Sequence, residues 1–231
     1  MKKYKHIFFD LDHTLYDFER STFETLSELC DKYNLTDKGI PVFKYFYNRY
    51  LEINDRFWGQ YRKGKIEKPF LNVERFHVTF QEFGIDDRDF AGKFATEYVE
   101  NAPLKNTLFP GAHETLEYLQ DKYILHLITN GFEEVQEKKL NTTGLRKYFK
   151  TITTSEEAGV KKPDPAIFHY ALSKAGAVPE ESLMIGDNLE VDILGAKNVG
   201  MDQMFFNIEK TPHNGKITFE ISELIEIRGL L

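Results

Sequence analysis

The chain has 231 residues, enough for one large domain or a core domain with a smaller companion. Apolar residues at 41% and charged residues at 29% are the proportions of a soluble globular protein. With 30 basic against 37 acidic residues, the net charge of -7 argues against a nucleic-acid polymer as partner, because proteins that track phosphate backbones concentrate positive charge.

The basic N-terminus runs into the apolar stretch Ile7-Phe8-Phe9, which Asp10 and Asp12 interrupt far too early for a signal peptide or a membrane span. A cytoplasmic protein without a membrane partner is therefore expected. The single cysteine, Cys30, excludes an internal disulfide and fits a reducing compartment. Tyr4–Phe9 itself reads as a buried strand.

From Glu19 to Thr107 the chain lacks clear strands and is rich in aromatics and helix formers. Phe43, Phe46, Tyr47, Tyr50, Leu51, Asn54, Phe57, Trp58 and Tyr61 follow helical spacing, which predicts a small helical domain inserted after the first strand. Cys30 falls on one of its helices as a buried apolar residue.

Beyond the insertion, strands and helices alternate. Gly111–Asp121 reads as a helix after Pro110, Ile124–Thr129 as a strand, and Phe132–Thr143 as a strongly polar, exposed helix. Thr151–Thr154 is β-branched throughout and reads as a strand, followed by a helix over Pro165–Ala175. Leu183–Ile185 predicts a further strand, Val191–Val199 a helix closed by Gly200, and Met204–Phe206 a fifth strand. This alternation predicts an α/β fold: a Rossmann-like, doubly wound parallel sheet made of residues 1–18 and 108–231, with residues 19–107 as an inserted helical cap.

Polar residues follow the buried strands at regular places: Asp10-Leu11-Asp12-His13-Thr14 after the first, Thr129-Asn130 after the second, Lys161-Lys162-Pro163 in the loop after the third, and Gly186-Asp187-Asn188 after the fourth, with Asp192 a turn later. In a parallel sheet these ends meet at one edge, where α/β proteins bind ligands. Asp10, Asp12 and Asp187 crowded there cannot all stay ionised without a counter-charge. Mg²⁺ suits a site with few carboxylates that keeps waters, and with Lys162 it would hold a phosphate dianion. An aspartate can serve as nucleophile in phosphoryl transfer, and a second carboxylate two residues on can move the protons. Each motif taken singly is an ordinary turn or helix start. Their joint order and placement is what points to chemistry.

These residues resemble the haloacid dehalogenase superfamily, whose four motifs are matched by Asp10-x-Asp12-x-Thr14, Thr129, Lys162-Pro163 and Gly186-Asp187-x4-Asp192. The resemblance spans nearly the whole chain, and the insertion lies where that superfamily places a helical (C1-type) cap. It implies Asp10 as nucleophile and Asp12 as general acid/base. It implies Mg²⁺ held by the Asp10 side chain, the Asp12 backbone carbonyl and Asp187, with Asp192 behind them as an outer or water-mediated ligand. Leu11, Thr14, Thr129, Asn130 and Lys162 would hold the phosphate. His13 stands where many members have glycine or a small polar residue. The second aspartate, absent from the dehalogenases because halide leaves without a proton, is similar to the phosphatases and phosphomutases.

A narrower resemblance, to the bacterial pyrimidine 5′-nucleotidases, rests on Ile128–Phe132, Thr143–Phe149, Ser155–Val160 and the cap motif Asn54-x3-Trp58-x2-Tyr61-x2-Gly64. It implies a small phosphorylated metabolite, a nucleoside 5′-monophosphate, as substrate for a monomer or weak homodimer. Aromatic side chains stack on nucleobases at about 1–3 kcal/mol each, and Trp58 and Tyr61 are the candidates for that contact; most of the stripe is expected to be cap core. The alternatives are a sugar-phosphate phosphatase or phosphomutase on the same scaffold, and a non-enzymatic binding protein. His77, His113, His126, His169 and His213 have no metal-ligand spacing, and His126 is expected as a core histidine.

Overall fold

In the computed structural model, which describes residues 4–231, the apolar run His6–Phe9 forms strand β1, and every residue of it is buried. The basic start of the chain, residues 1–3, lies outside the described residues. Five more strands follow: β2 (Ile124–Thr129), β3 (Phe149–Thr154), β4 (Ser182–Gly186), β5 (Asp202–Phe206) and β6 (Phe219–Ile221). All pair in parallel in the order β3-β2-β1-β4-β5-β6. The order reverses at β1 and β4, the place where a doubly wound sheet opens a crevice beyond its carboxyl ends.

The pleat assigns side chains to two layers. Ile7 and Phe9 of β1, with Leu125, Leu127, Leu183, Ile185, Met204 and Phe206, join one core cluster. Phe8, Ile128 and Met184 join the other. Both faces are therefore covered, as an all-parallel sheet requires. The first face packs against helix α5 (Ala112–Gln120) through Leu116 and Leu119, and the second against α8 (Pro165–Ala175) through Ile167, Phe168, Ala171 and Leu172. Each such side chain contributes about 1.5–3 kcal/mol on burial.

Three elements differ from the sequence expectation. Strand β6 follows a loop that Asn207 ties together, its side chain accepting from Thr211 N and donating to Thr211 O and Glu220; only three residues long, it carries no periodic signal. Residues 189–199 do not make one regular helix. Asn188 accepts from both Glu190 and Val191 N, so a wide π-type turn, Leu189–Leu194, comes first, and a short helix, Gly195–Asn198, follows. Helix α6 (Glu133–Thr142), polar in sequence, is not an exposed helix. Gln136, Lys139 and Leu140, at i, i+3 and i+4, are only 1%, 5% and 0% exposed.

The chain divides into two compact units, one running to Phe18 and resuming at Asn106–Leu231, the other Glu19–Lys105. The second unit is helical, built from α1 (Phe18–Lys32), α2 (Phe43–Arg62), α3 (Lys68–Gln81) and α4 (Arg88–Asn101). Its core is aromatic: Phe46 stacks on Phe80, Tyr50 on Phe76, and Phe94 meets Phe76 and Phe80. Asn54, from the same stripe, is buried and accepts from Arg75 at 2.9 Å. Cys30 is buried there too, its thiol pushed up to about 12 by burial and the neighbouring Asp31 charge.

Candidate active site

Strand β1 delivers Asp10 to the carboxyl edge of the sheet, its N–H still bonded to Ile185 O of β4 at 2.9 Å. The chain then curls around the Leu11 carbonyl, which accepts from the N–H groups of Thr14, Leu15 and Tyr16. Leu11 itself is buried in the core, so what it can offer a ligand is backbone. His13 sits in this curl at φ 61°, a conformation glycine adopts freely and histidine adopts more readily than most residues. That is the physical reason a small residue is at home there. Thr14, fully buried, donates to Asp187 Oδ1 at 3.0 Å and so ties the β1 loop to the end of β4.

Lys162 is the hub. It is 1% exposed, and its Nζ donates to Asp10 Oδ1 at 2.5 Å, Asp192 Oδ1 at 2.6 Å and Ile128 O at 2.8 Å, three acceptors for three protons. Burial opposes its charge, but Asp10 and Asp192 outweigh burial and hold the ammonium protonated well above the ordinary lysine range. The Lys162–Pro163 peptide is cis.

Asn130 does a different job from the one its side chain was expected to do. Its Oδ1 accepts from Lys162 N at 2.8 Å and its Nδ2 donates to Lys162 O at 2.9 Å. The amide clasps the lysine's own backbone and thereby aims the ammonium. With its side chain engaged in this way, what Asn130 has left to offer a ligand is its backbone.

Asp10, Asp187 and Asp192 each present an oxygen within 4.8 Å of the others. Burial raises the Asp10 carboxyl well above its ordinary range; Lys162 pulls against this, and the Asp192 and Asp187 charges reinforce it. Asp187 is pushed up to about 7, first by burial and then by Asp192, with Thr14 and Lys162 opposing. Among the described residues only Lys162 brings a cationic bond to this cluster, so the site carries more negative charge than it balances. An all-oxygen, charge-deficient site of this kind fits a hard divalent cation. Gly186 permits its compactness, because a Cβ there would lie 2.6 Å from the Asp192 carboxylate.

Asp12 lives in a different environment. Its Oδ1 bonds Lys139 Nζ at 2.5 Å and its Oδ2 accepts from Gln136 Nε2 at 2.8 Å. Burial tends to raise its carboxyl, but Lys139 and Gln136 together hold it below the ordinary range. Gln136 also donates to Thr129 Oγ1 at 2.7 Å. Neither α6 residue was singled out from sequence. The signal available was the i, i+3, i+4 spacing of Gln136, Lys139 and Leu140 within an otherwise polar helix.

Trp58 and Tyr61 both lie on α2 of the helical unit. Tyr61 is buried, and the Trp58 ring stands edge-on to it at 5.6 Å. The sequence grouped Tyr61 with Trp58 as a stacking candidate; its burial makes it part of the unit's core, and Trp58 is the more accessible of the two. His126 is a core histidine as expected, fully buried between His6 at 3.0 Å and the Thr151 hydroxyl at 2.8 Å. Among the described residues, no helix is long and apolar enough to cross a membrane.

The sequence pattern of the haloacid dehalogenase-like hydrolases matches residues 4–200. The pyrimidine 5′-nucleotidase YjjG of Escherichia coli is 33% identical, the alignment covering 99% of this chain and 98% of that protein. A glyceraldehyde 3-phosphate phosphatase of Pyrococcus furiosus is 31% identical over 98% of this chain and 94% of its own. The crystal structure of the HAD-hydrolase YfnB of Bacillus subtilis, bound to magnesium, superposes with a TM-score of 0.89 at 28% identity, covering 100% of this chain and 99% of that one.

Proposed function

The chain belongs to the haloacid dehalogenase-like hydrolases, and from that premise we propose that it hydrolyses phosphomonoesters through a phospho-aspartate at Asp10, acting on nucleoside 5′-monophosphates. The observation that carries the reading is a pair of carboxylates two residues apart in opposite surroundings. Asp10 lies against Lys162 and the acidic cluster, whereas Asp12 lies against Lys139 and Gln136. One carboxylate inside the acidic cluster and a second held outside it can divide nucleophile from proton carrier.

Asp12, whose carboxyl Lys139 and Gln136 hold low in the unliganded site, takes up a proton from solvent as the phosphomonoester binds. In the first half-reaction an Asp10 oxygen attacks phosphorus, the ester P–O bond breaks, and Asp12 gives that proton to the departing alkoxide. In the second, Asp12 takes a proton from water as that water attacks the acyl phosphate, which releases inorganic phosphate and restores Asp10. Lys162, bonded to the Asp10 oxygen, would place its positive charge beside the phosphoryl group as that group transfers to Asp10. Thr129 is a forced donor: Gly131 N and Gln136 Nε2 both donate to its oxygen, at 3.0 and 2.7 Å, so its own proton points elsewhere. Such preorganised donors are the main source of rate in this chemistry.

Mg²⁺ would be held by Asp10, the Asp12 backbone carbonyl and Asp187, with Asp192 behind them, and when bound would supply positive charge that favours the ionised nucleophile. A testable consequence concerns stability. Without metal, Asp10 and Asp187 bind protons more tightly in the folded than in the unfolded chain. Their contribution is therefore present at low pH and is lost as pH rises through about 7, the value to which Asp187 is pushed. Mg²⁺ should raise Tm more at pH 8 than at pH 5, by roughly 5–10 °C at a hundredfold excess over Kd. Thermal melts at both pH values check this, and Asp187→Asn should abolish the difference.

The nucleotide reading is supported by the nucleotidase relative, 33% identical over nearly the full length, and by the sequence motif around Trp58. A second reading, a sugar-phosphate phosphatase, is favoured by the equally full-length likeness to the glyceraldehyde 3-phosphate phosphatase. Turnover on a panel of nucleoside monophosphates and sugar phosphates separates the two, and a preference for sugar phosphates would overturn the nucleotidase assignment. Trp58→Ala should raise KM for the preferred nucleotide about tenfold, as the loss of one stacked base implies, and leave KM for an aryl phosphate unchanged. Equal changes in both would deny Trp58 a base contact.

A further inference from the structure

Helix α6 places two buried polar side chains on the carboxylate proposed to move protons. Lys139 holds Asp12 Oδ1, and Gln136 holds Asp12 Oδ2. The Gln136 amide nitrogen has two hydrogens, and both are in use. One goes to Asp12 and the other to Thr129 Oγ1. A single nitrogen thus sets the spacing between the carboxylate and the threonine hydroxyl, and it also decides which way that hydroxyl can donate.

Two further observations indicate that this arrangement is built rather than incidental. Gln136 Oε1 is buried without a hydrogen-bond partner. An orphaned buried carbonyl is destabilising, so packing alone does not explain why an amide sits there. Gly131 is the residue that lets the amide in, since a Cβ at this position would fall 2.3 Å from Gln136 Nε2 and 2.4 Å from its Cδ. Lys139 is fixed in turn by the Tyr16 ring, whose centroid lies 4.8 Å from its Nζ.

We propose that Gln136 and Lys139 are positioning residues that hold the Asp12 carboxylate beside the Thr129 hydroxyl in the orientation its proton transfers require. The inference rests on the reading of Asp12 as general acid/base. Neither residue touches the reacting atoms. Their effect is on where the Asp12 oxygens stand, and geometry of this kind is worth about a hundredfold in rate when an oxygen is displaced by an ångström.

The test uses leaving groups of different basicity on the full-length enzyme with Mg²⁺. An alkyl phosphate needs a proton on its leaving oxygen, whereas p-nitrophenolate leaves without one. In Gln136→Met and in Lys139→Met, the phosphorylation rate measured by rapid quench should fall about a hundredfold for the alkyl ester, as expected for a misplaced acid. The p-nitrophenyl ester should keep its fast burst, followed by slow breakdown of the accumulated phospho-enzyme. Gly131→Ala, which pushes the amide aside, should reproduce the pattern. The alkyl-to-aryl ratio is taken within each variant and is independent of how much of it is folded. Equal losses on both esters in all three variants would overturn the proposal, as would no loss. Asp12→Asn run alongside distinguishes the failures. If it too leaves the ratio unchanged, the role of Asp12 is wrong; if it alone lowers the ratio, only the positioning pair is.

Discussion

Asp10→Asn is expected to lower kcat by at least about 10⁴-fold while leaving a folded protein, because removing a nucleophile costs nearly all of the covalent pathway. The substitution keeps the shape of the side chain and can still accept from Lys162, so the Lys162 contacts to Asp192 and Ile128 should persist. It also removes one of the three crowded carboxyls. In the absence of metal the variant should therefore melt no lower than the parent at pH 8, where charge crowding is greatest. Steady-state kinetics and thermal melts check the two halves separately. A folded Asp10→Asn enzyme that retains turnover within tenfold would remove Asp10 from the chemistry.

Lys162→Met should produce the largest loss of stability of any single change in the core unit. Breaking a buried ion pair from one side costs about 3–5 kcal/mol, which for a chain of this size is a fall in Tm of roughly 6–20 °C. The cost arises because Asp10 and Asp192 lose their shared cation inside a site already short of positive charge. It should depend on pH, being smaller at pH 5, where the Asp10 carboxyl, raised by burial, holds a proton, than at pH 8. Activity should be lost at every pH, since this ammonium holds the Asp10 carboxylate proposed as nucleophile. A Tm drop independent of pH would mean that Lys162 stabilises by packing alone.

Much of the sheet was legible from residues, and the reason is physical. Strands buried on both faces read as short apolar runs, and the residue that ends each run is polar because it leaves the core at the carboxyl edge. Asp10, Thr129 and Asp187 were visible for that reason. Strand β6 was not, because Phe219–Ile221 is short and alternates a half-buried, an exposed and a buried residue. The π-type turn at Leu189–Leu194 was hidden too; it depends on Asn188 accepting from two successive N–H groups, a detail of geometry rather than of period.

Within the site, motif residues were readable, but their division of labour was not. The Asn130 side chain clasps the Lys162 backbone, a pairing between residues 32 apart that no local pattern announces. Gln136 and Lys139 were masked by the glutamates and lysines around them on α6. Tyr61 shared its helical stripe with Trp58, and only packing separates the buried ring from the more accessible one. In each case the missing information was tertiary: which polar group another buried polar group needs as its partner.

In the proposed reaction, phosphate passes through a covalent bond to Asp10. Rapid mixing with substrate and Mg²⁺, followed by an acid quench and borohydride reduction, converts an acyl phosphate of aspartate into homoserine. Peptide mass spectrometry should then find homoserine at residue 10, formed only when substrate is present. Homoserine at residue 12 or 187 instead, phosphate trapped on a histidine, or no modification during active turnover would contradict it.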